Sequence, residues 1–165
     1  MVKEYKVGFF DLDDTLITTA SGETFPVGIW DIRFKLDVLD AIKGMKLERV
    51  VIVSNQGGIG EGLVNGRSFK TKMNFVSQAV SDYTNAICNA YYCESNKKDD
   101  PYRKPNTGMI EHFMSSHPEY KMEDCFMVGD ASGKPGDFND TDLKTARNAG
   151  LDYFDVRDFV EKCKK

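Results

Sequence analysis

Three acidic residues, Asp11, Asp13 and Asp14, directly follow the apolar run 7–10 in the segment FFDLDDTLI. The apolar run predicts a buried strand, and carboxylates crowded at its end repel one another unless a cation, a proton or a function holds them together. Asp11 and Asp13 are two apart and should point to the same side of an extended chain, whereas Asp14 is expected in a local turn or at the surface. Taken alone, the cluster fits a solvated turn as well as a site.

Two further strand ends carry polar side chains. Ser54 and Asn55 follow the β-branched run 49–53, and Asp130 follows the apolar run 125–128. In an open parallel sheet the carboxyl ends of the strands meet at one edge, where ligands bind, and Lys104 reaches that edge from a loop. Carboxylates beside a lysine suit Mg²⁺ and a phosphate, because the cation takes oxygen ligands and the ammonium balances phosphoryl oxygens.

This set of groups could carry out phosphoryl transfer. One carboxylate can attack phosphorus, a second can donate a proton to the leaving alkoxide, and a hydroxyl or amide can hold the transferred group. Asp11, Asp13 and Ser54 are the candidates for these three tasks.

The elements that position these residues alternate between strand and helix. Strands are predicted over 5–10, 49–53, 86–93, 125–128 and 153–156, helices over 30–45, 68–85, 107–116 and 142–149, and a loop or small hairpin over 18–28. This order predicts an α/β fold, with a doubly wound, Rossmann-like parallel sheet between two layers of helices. The 165 residues are expected to form a single domain, 1–165, with no cap domain.

Composition narrows the classes of partner. The net charge of −4 argues against binding nucleic acid through bulk electrostatics, although a local basic patch would suffice. No long apolar span suggests a membrane segment, and the four cysteines follow no paired metal spacing. We therefore expect a soluble, cytoplasmic protein, and a monomer.

The ordered motifs resemble the haloacid dehalogenase superfamily of phosphotransferases. They are Asp11-x-Asp13-x-Thr15, the strand end at Ser54, Lys104, and the strand end Gly129-Asp130. The chain is most similar to the 3′-phosphatase domains of polynucleotide kinase/phosphatases and to stand-alone DNA 3′-phosphatases. The segments that carry this likeness are FFDLDDTLI, SNQGGIGEG, YRKP running into TGM, and VGDASGKPGDFNDTD.

The resemblance implies a role for each matched residue. Asp11 would be the nucleophile and Asp13 the general acid/base, while Ser54 and Lys104 would bind the transferred phosphoryl group. Asp11, the backbone carbonyl of Asp13 and Asp130 would hold Mg²⁺. The further acid that the family often carries after the metal aspartate is best matched by Asp142, with Asp137 and Asp140 as competitors. The expected substrate contacts come from Thr15, Asn55, Gln56, Gly57 and Arg103.

The implied substrate is a DNA end, whose 3′-phosphate would be removed to leave a hydroxyl for repair. An uncapped site would admit such a substrate, and Phe25, Trp30 and Tyr102 are candidates for stacking on its bases. One departure is Glu61, which stands where relatives commonly have an arginine, and it leaves open either a tolerated surface exchange or a changed substrate.

Two alternatives remain. Histidinol-phosphate and heptose-bisphosphate phosphatases share several of these motifs, but they usually carry a cysteine-rich zinc loop before the lysine. The corresponding segment here, CESNKKDDPY, has one cysteine. A non-catalytic interaction module would be expected to lose the nucleophile, the lysine or the metal acid, and all of these are present.

Overall fold

The computed structural model describes residues 3–164. Its strands are β1 (Val7–Phe10), β2 (Ile17–Thr19), β3 (Ile32–Phe34), β4 (Arg49–Asn55), β5 (Ile87–Cys93), β6 (Cys125–Gly129) and β7 (Asp152–Asp155). Its α-helices are α1 (Leu36–Met45), α2 (Gly57–Gly60), α3 (Gly66–Thr84), α4 (Gly108–Ser116), α5 (Thr141–Ala149) and α6 (Val156–Cys163). Short 3₁₀ turns cover Ile29–Asp31 and Met122–Asp124.

Five parallel strands form the central sheet in the order β5-β4-β1-β6-β7. β1 lies in the middle and is buried on both faces, which explains why its sequence is apolar without alternation. Phe9 packs against Phe113 of α4 on one face, and Phe10 packs against Phe159 of α6 on the other. The predicted α/β fold with a doubly wound parallel sheet is therefore confirmed.

Helices cover both faces of the sheet. The apolar sides of α1, α3 and α6 contribute Leu39, Val76 and Phe159 to one core, while α4 contributes Ile110 and α5 contributes Ala146 to the second. In the described residues 3–164, no helix combines the length and the apolar character that crossing a membrane requires.

The predicted helix over 30–45 is wrong in its first third. Ile32–Phe34 instead forms β3, which pairs antiparallel with β2, and the helix begins at Leu36. The Asp31 side chain explains the difference, because it accepts hydrogen bonds from the Ser21 N–H (2.7 Å), the Ser21 hydroxyl (2.7 Å) and the Val27 N–H (3.1 Å). These bonds close the segment between the two strands into a hairpin. The spacing of Ile32 and Leu36 is that of a helix and gave no sign of β3.

The C-terminal segment also differs from the prediction. The predicted last strand ran to Val156, but β7 ends at Asp155 and the unpredicted helix α6 begins at Val156. The Asp155 carboxylate caps this helix by accepting a hydrogen bond from the Arg157 N–H at 2.9 Å.

The register of the sheet fixes where the site forms. Phe10, the last residue of β1, is paired with Ile52 on one side and Val128 on the other. The residues that follow these three positions therefore leave the sheet at the same edge.

Candidate active site

Asp11 and Asp13 emerge from β1 into a tight turn. The Asp11 N–H donates to the Val128 carbonyl at 3.1 Å, which extends the pairing with β6 by one residue. Asp14 is exposed and adopts a left-handed conformation with φ of +62°, and its N–H donates to the Ile17 carbonyl at 2.7 Å. Asp14 thus lies in a local turn, while Asp11 and Asp13 remain at the sheet edge.

Lys104 is buried at this edge with its ammonium between two carboxylates. Its Nζ donates to Asp11 Oδ1 at 3.0 Å and to Asp142 Oδ1 at 2.7 Å. Asn55 holds the Lys104 backbone from both sides, because the Lys104 N–H donates to Asn55 Oδ1 at 2.8 Å and Asn55 Nδ2 donates to the Lys104 carbonyl at 3.0 Å. The end of β4 therefore fixes the position from which Lys104 reaches Asp11.

Asp11, Asp130 and Asp142 form a compact group, with one carboxylate oxygen of each within 4.8 Å of the others. The Thr15 hydroxyl donates to Asp130 Oδ1 at 3.4 Å. Asp142 Oδ2 accepts the Ala131 N–H at 3.1 Å, so that both oxygens of Asp142 have partners within the protein.

Asp142 approaches this group closely because residue 129 is glycine. A Cβ on Gly129 would overlap with the Asp142 carboxylate. The competing acids lie elsewhere: Asp137 pairs with Arg157 at 3.0 Å, and Asp140 pairs with Lys144 at 3.4 Å. Of the three acids that the sequence left open, the structure therefore brings Asp142 to Asp11 and Lys104.

Gln56 connects the remaining two candidates. Its Nε2 donates to Asp13 Oδ2 at 3.0 Å and to the Ser54 hydroxyl oxygen at 2.7 Å. Ser54 is buried, and Gln56 is 7% exposed. This amide therefore fixes the distance between the candidate acid/base and the candidate phosphate-binding hydroxyl.

Burial dominates the electrostatics of the site. It raises the pKa of Asp11 to about 6, against the attraction of Lys104, and Asp130 adds to the rise. Burial and the neighbouring Asp11 raise the pKa of Asp13 to about 6. The pKa values of Asp130 and Asp142 are also raised, mainly by burial. For Lys104 burial acts to lower the pKa, but Asp11 and Asp142 outweigh it and raise the pKa.

The donor set fits a hard divalent cation. The oxygens of Asp11, Asp130 and Asp142 are the ligand type that Mg²⁺ takes, and they converge within a few ångströms at the end of the sheet. Burial raises their pKa values most, and the charge of a neighbouring carboxylate adds to each rise. A cation there would offset this repulsion.

The residues predicted to contact substrate differ in the contacts that their side chains make within the protein. Thr15 is buried against Asp130, and Arg103 donates to the Ser95 carbonyl at 3.4 Å. Gly57 begins α2 and packs so closely on Asn96 that an added Cβ would overlap with that side chain. Asn55 and Gln56 hold Lys104, Asp13 and Ser54, which indicates a positioning role for both. No periodicity or motif in the sequence signals that role.

Comparison with known proteins gives the class. A bifunctional polynucleotide phosphatase/kinase of Schizosaccharomyces pombe is 34% identical over 148 residues, which is 87% of this chain and 35% of that protein. A probable D-glycero-D-manno-heptose-1,7-bisphosphate 7-phosphatase of Thermoplasma volcanium is 31% identical over 93 residues, or 54% of this chain and 62% of that protein. The chain thus spans about a third of the first relative and under two thirds of the second.

A solved structure shares the fold. The D,D-heptose 1,7-bisphosphate phosphatase of B. bronchiseptica, complexed with magnesium and phosphate, has a TM-score of 0.71 at 19% identity, covering 95% of this chain and 86% of that chain. The fold, the ordered motifs and the relatives together place the chain in the haloacid dehalogenase superfamily of phosphatases. Residues 6–159 match the model of the family described as polynucleotide kinase 3 phosphatase, and the chain belongs to that family.

Proposed function

We propose that the protein is a Mg²⁺-dependent phosphatase that works through an aspartyl-phosphate intermediate. It removes the 3′-phosphate from the ends of polynucleotides, and DNA is the expected substrate. The observation that carries this proposal is the buried ammonium of Lys104, held 3.0 Å from Asp11 beside Asp130 and Asp142. A buried lysine against crowded carboxylates suits a site that binds a cation together with a phosphate dianion.

In the first step Asp11 acts as the nucleophile. One of its carboxylate oxygens forms a bond to phosphorus while the bond from phosphorus to the 3′-oxygen breaks. Asp13 donates its proton to the departing 3′-oxygen, which leaves as a hydroxyl. Because burial raises the pKa of Asp13 to about 6, a protonated fraction is available near neutral pH.

In the second step water releases the phosphate. Asp13, now ionised, takes a proton from a water molecule, and the water oxygen attacks phosphorus as the bond to Asp11 breaks. Inorganic phosphate leaves, and both carboxylates return to their starting states. Gln56 holds Asp13 in place through both proton transfers by its hydrogen bond at 3.0 Å.

Ser54 and Lys104 would bind the phosphoryl oxygens. The Ser54 hydroxyl is anchored by Gln56, and Lys104 is anchored through its backbone by Asn55, so that both groups are preorganised. Asp11, Asp130 and the backbone carbonyl of Asp13 would hold Mg²⁺, and Asp142 would orient Lys104. When bound, the ion supplies Lewis-acid stabilisation of the charge on the phosphoryl oxygens.

The assignment of a polynucleotide substrate rests on the family and on the hairpin that follows the first two site residues. The family description and the S. pombe relative both name a polynucleotide phosphatase. On the hairpin that follows Asp13 and Asp14, Phe25 is 50% exposed and Trp30 is 76% exposed. Exposed aromatic rings on the hairpin that leads out of the site offer stacking surfaces for unpaired bases, worth about 1–3 kcal/mol per base.

The second candidate is a small sugar phosphate. It is favoured by the relative from T. volcanium, which is named a heptose-bisphosphate phosphatase and is 31% identical over 93 residues. The polynucleotide assignment is preferred because the S. pombe relative matches over 148 residues at 34% identity.

A comparison of substrates at matched Mg²⁺ tests the proposal. We expect faster phosphate release from a 3′-phosphorylated oligonucleotide than from the 5′-phosphorylated one, histidinol phosphate or a heptose bisphosphate. Asp11→Asn should abolish release from all of them and from an aryl phosphate, while leaving the circular dichroism spectrum unchanged. A preference for either metabolite would refute the DNA assignment, and turnover by Asp11→Asn would refute the nucleophile.

A further inference from the structure

Lys72 is a partly buried lysine that the proposed chemistry does not use. It lies on α3 in the turn after Phe69, and its Nζ sits 4.6 Å from the centroid of the Phe69 ring. Phe69 is itself 2% exposed and packs edge-on against Tyr92, with ring centroids 4.7 Å apart. The ammonium is therefore held over a fixed aromatic face, which limits the orientations available to the side chain.

The ammonium of Lys72 has no ion-pair partner in the described part of the chain. Among residues 3–164, no carboxylate oxygen lies within 4.0 Å of its Nζ, whereas Lys104 contacts two. The Lys72 Nζ is not among the buried polar atoms that lack a hydrogen-bond partner, so solvent reaches it. An acceptor oxygen of a ligand can take the place of that solvent.

Packing places Lys72 on the Ser54 side of the site, because Phe69 packs against Tyr92 and Tyr92 is paired with Ser54 in the sheet. Gln56 joins Ser54 to Asp13. Burial lowers the pKa of Lys72, and Asp13 is the charge that opposes this change. Lys72 in turn is the neighbouring charge that acts most strongly to lower the pKa of Asp13. Lys104 contacts Asp11, so the two lysines flank different carboxylates of the turn.

The position of Lys72 on the Asp13 side of the site relates it to one half of the substrate in the proposed reaction. In the proposed mechanism Asp11 attacks phosphorus and Asp13 protonates the 3′-oxygen that leaves. The polynucleotide continues from that leaving oxygen, so the nearest phosphodiester lies on the Asp13 side of the site. A phosphodiester is a single negative charge with strong acceptor oxygens, and an ammonium with unused donors is suited to it.

We propose that Lys72 is a substrate-binding residue, which donates to the phosphodiester that joins the terminal nucleotide to the rest of the chain. The inference rests on the proposed function and deepens it, because it makes the enzyme distinguish an oligonucleotide from a mononucleotide. Lys72 thereby sets specificity for a polymer end and leaves the transferred phosphoryl group to Ser54 and Lys104.

The test compares two substrates that differ in this one phosphodiester. A short 3′-phosphorylated oligothymidylate and thymidine 3′-monophosphate are assayed with the wild type, Lys72→Met, Lys72→Arg and Lys70→Met. Lys70 is exposed on the same helix and serves as the matched control. Thermal unfolding of each variant verifies folding, and kcat/KM is measured over a range of salt concentrations.

We expect Lys72→Met to lower the ratio of kcat/KM for the oligonucleotide to that for the mononucleotide about tenfold, as for loss of one charge-assisted hydrogen bond. Its salt dependence on the oligonucleotide should weaken by a slope of about 0.7, as expected for one phosphate contact on a single strand. Lys72→Arg should retain most of the ratio, and Lys70→Met should match the wild type.

Equal losses on both substrates would show that Lys72 acts through Asp13, and would overturn the inference. So would an unchanged ratio in Lys72→Met when the wild type prefers the oligonucleotide. A wild type that releases no phosphate from either thymidine substrate but hydrolyses a sugar phosphate would refute the proposed function itself, which is a distinct outcome.

Discussion

Replacing Asp13 by asparagine should stabilise the metal-free protein while removing its proton donor. Burial and the Asp11 charge raise the pKa of Asp13 from 3.8 to about 6. Asparagine has nearly the same shape, cannot ionise, and leaves an amide oxygen to accept the Gln56 hydrogen bond. The substitution therefore removes the cost of a buried charge with little loss of packing.

The size and sign of this effect follow from linkage. An acid whose folded pKa is raised destabilises the fold when it is ionised, so the cost is absent below pH 3.8 and fully present above about pH 6. A rise of about two pKa units corresponds to about 3 kcal/mol, and solvent contact of the partly exposed side chain reduces this value. We expect Asp13→Asn to raise the free energy of unfolding by about 1–3 kcal/mol at about pH 8.

Urea unfolding in a chelator at about pH 8 and about pH 4 measures the effect. The gain should be present at the higher pH and close to zero at the lower one, while phosphate release with Mg²⁺ should fall by about 10²–10⁴-fold. Asp14→Asn is the control, because Asp14 is exposed and asparagine tolerates its left-handed conformation. An equal change in stability at both pH values, or a loss of stability at pH 8, would refute the reasoning.

Two further substitutions probe the supports of the site. Asn55→Ala removes both hydrogen bonds that hold the Lys104 backbone. Urea unfolding should therefore show that the free energy of unfolding is lower by about 1–3 kcal/mol. The fall in kcat should be larger than the change in KM. Unchanged kcat would mean that Lys104 needs no such support. Gly129→Ala places a methyl group against the Asp142 carboxylate, so it should cost about 1–3 kcal/mol of stability. Because residue 129 directly precedes the proposed ligand Asp130, it should also raise the Mg²⁺ concentration needed for half-maximal activity. A wild-type Mg²⁺ requirement in Gly129→Ala would contradict this account of the glycine.

The sequence predicts the sheet well because its strands are buried on both faces. β1, β4 and β6 are continuous apolar runs bounded by polar residues, and that pattern has few other interpretations. Prediction failed where side-chain hydrogen bonds override the helical spacing of apolar residues. Ile32 and Leu36 have helical spacing, but the Asp31 carboxylate is bonded to residues ten and four positions earlier in the chain, and it folds that segment into a hairpin.

The candidate site divides in the same way. Asp11, Asp13 and Asp130 follow strands and Lys104 lies in a loop, all within recognisable motifs, so their types and order could be predicted from the sequence. The contacts that position these residues could not be predicted, because they join distant parts of the chain. Asn55 and Lys104 are 49 residues apart, and Lys104 and Asp142 are 38 residues apart. Asn55, which the sequence places among the substrate contacts, has its side-chain amide hydrogen-bonded to the Lys104 backbone.

Glu61 connects the departure from the family pattern with the role proposed for Lys72. The Glu61 carboxylate accepts a hydrogen bond from the Asn96 side chain, which joins the end of α2 to the segment after β5. An acid at a position where relatives commonly have an arginine supplies no cation for a polynucleotide, and the net charge of −4 gives no long-range attraction. Under the proposed function, individual ammonium groups within the site must then bind the phosphodiester of the substrate. In the proposed mechanism Lys104 binds the transferred phosphoryl group, so the absence of a cation at residue 61 increases the contribution expected of Lys72 to binding the phosphodiester.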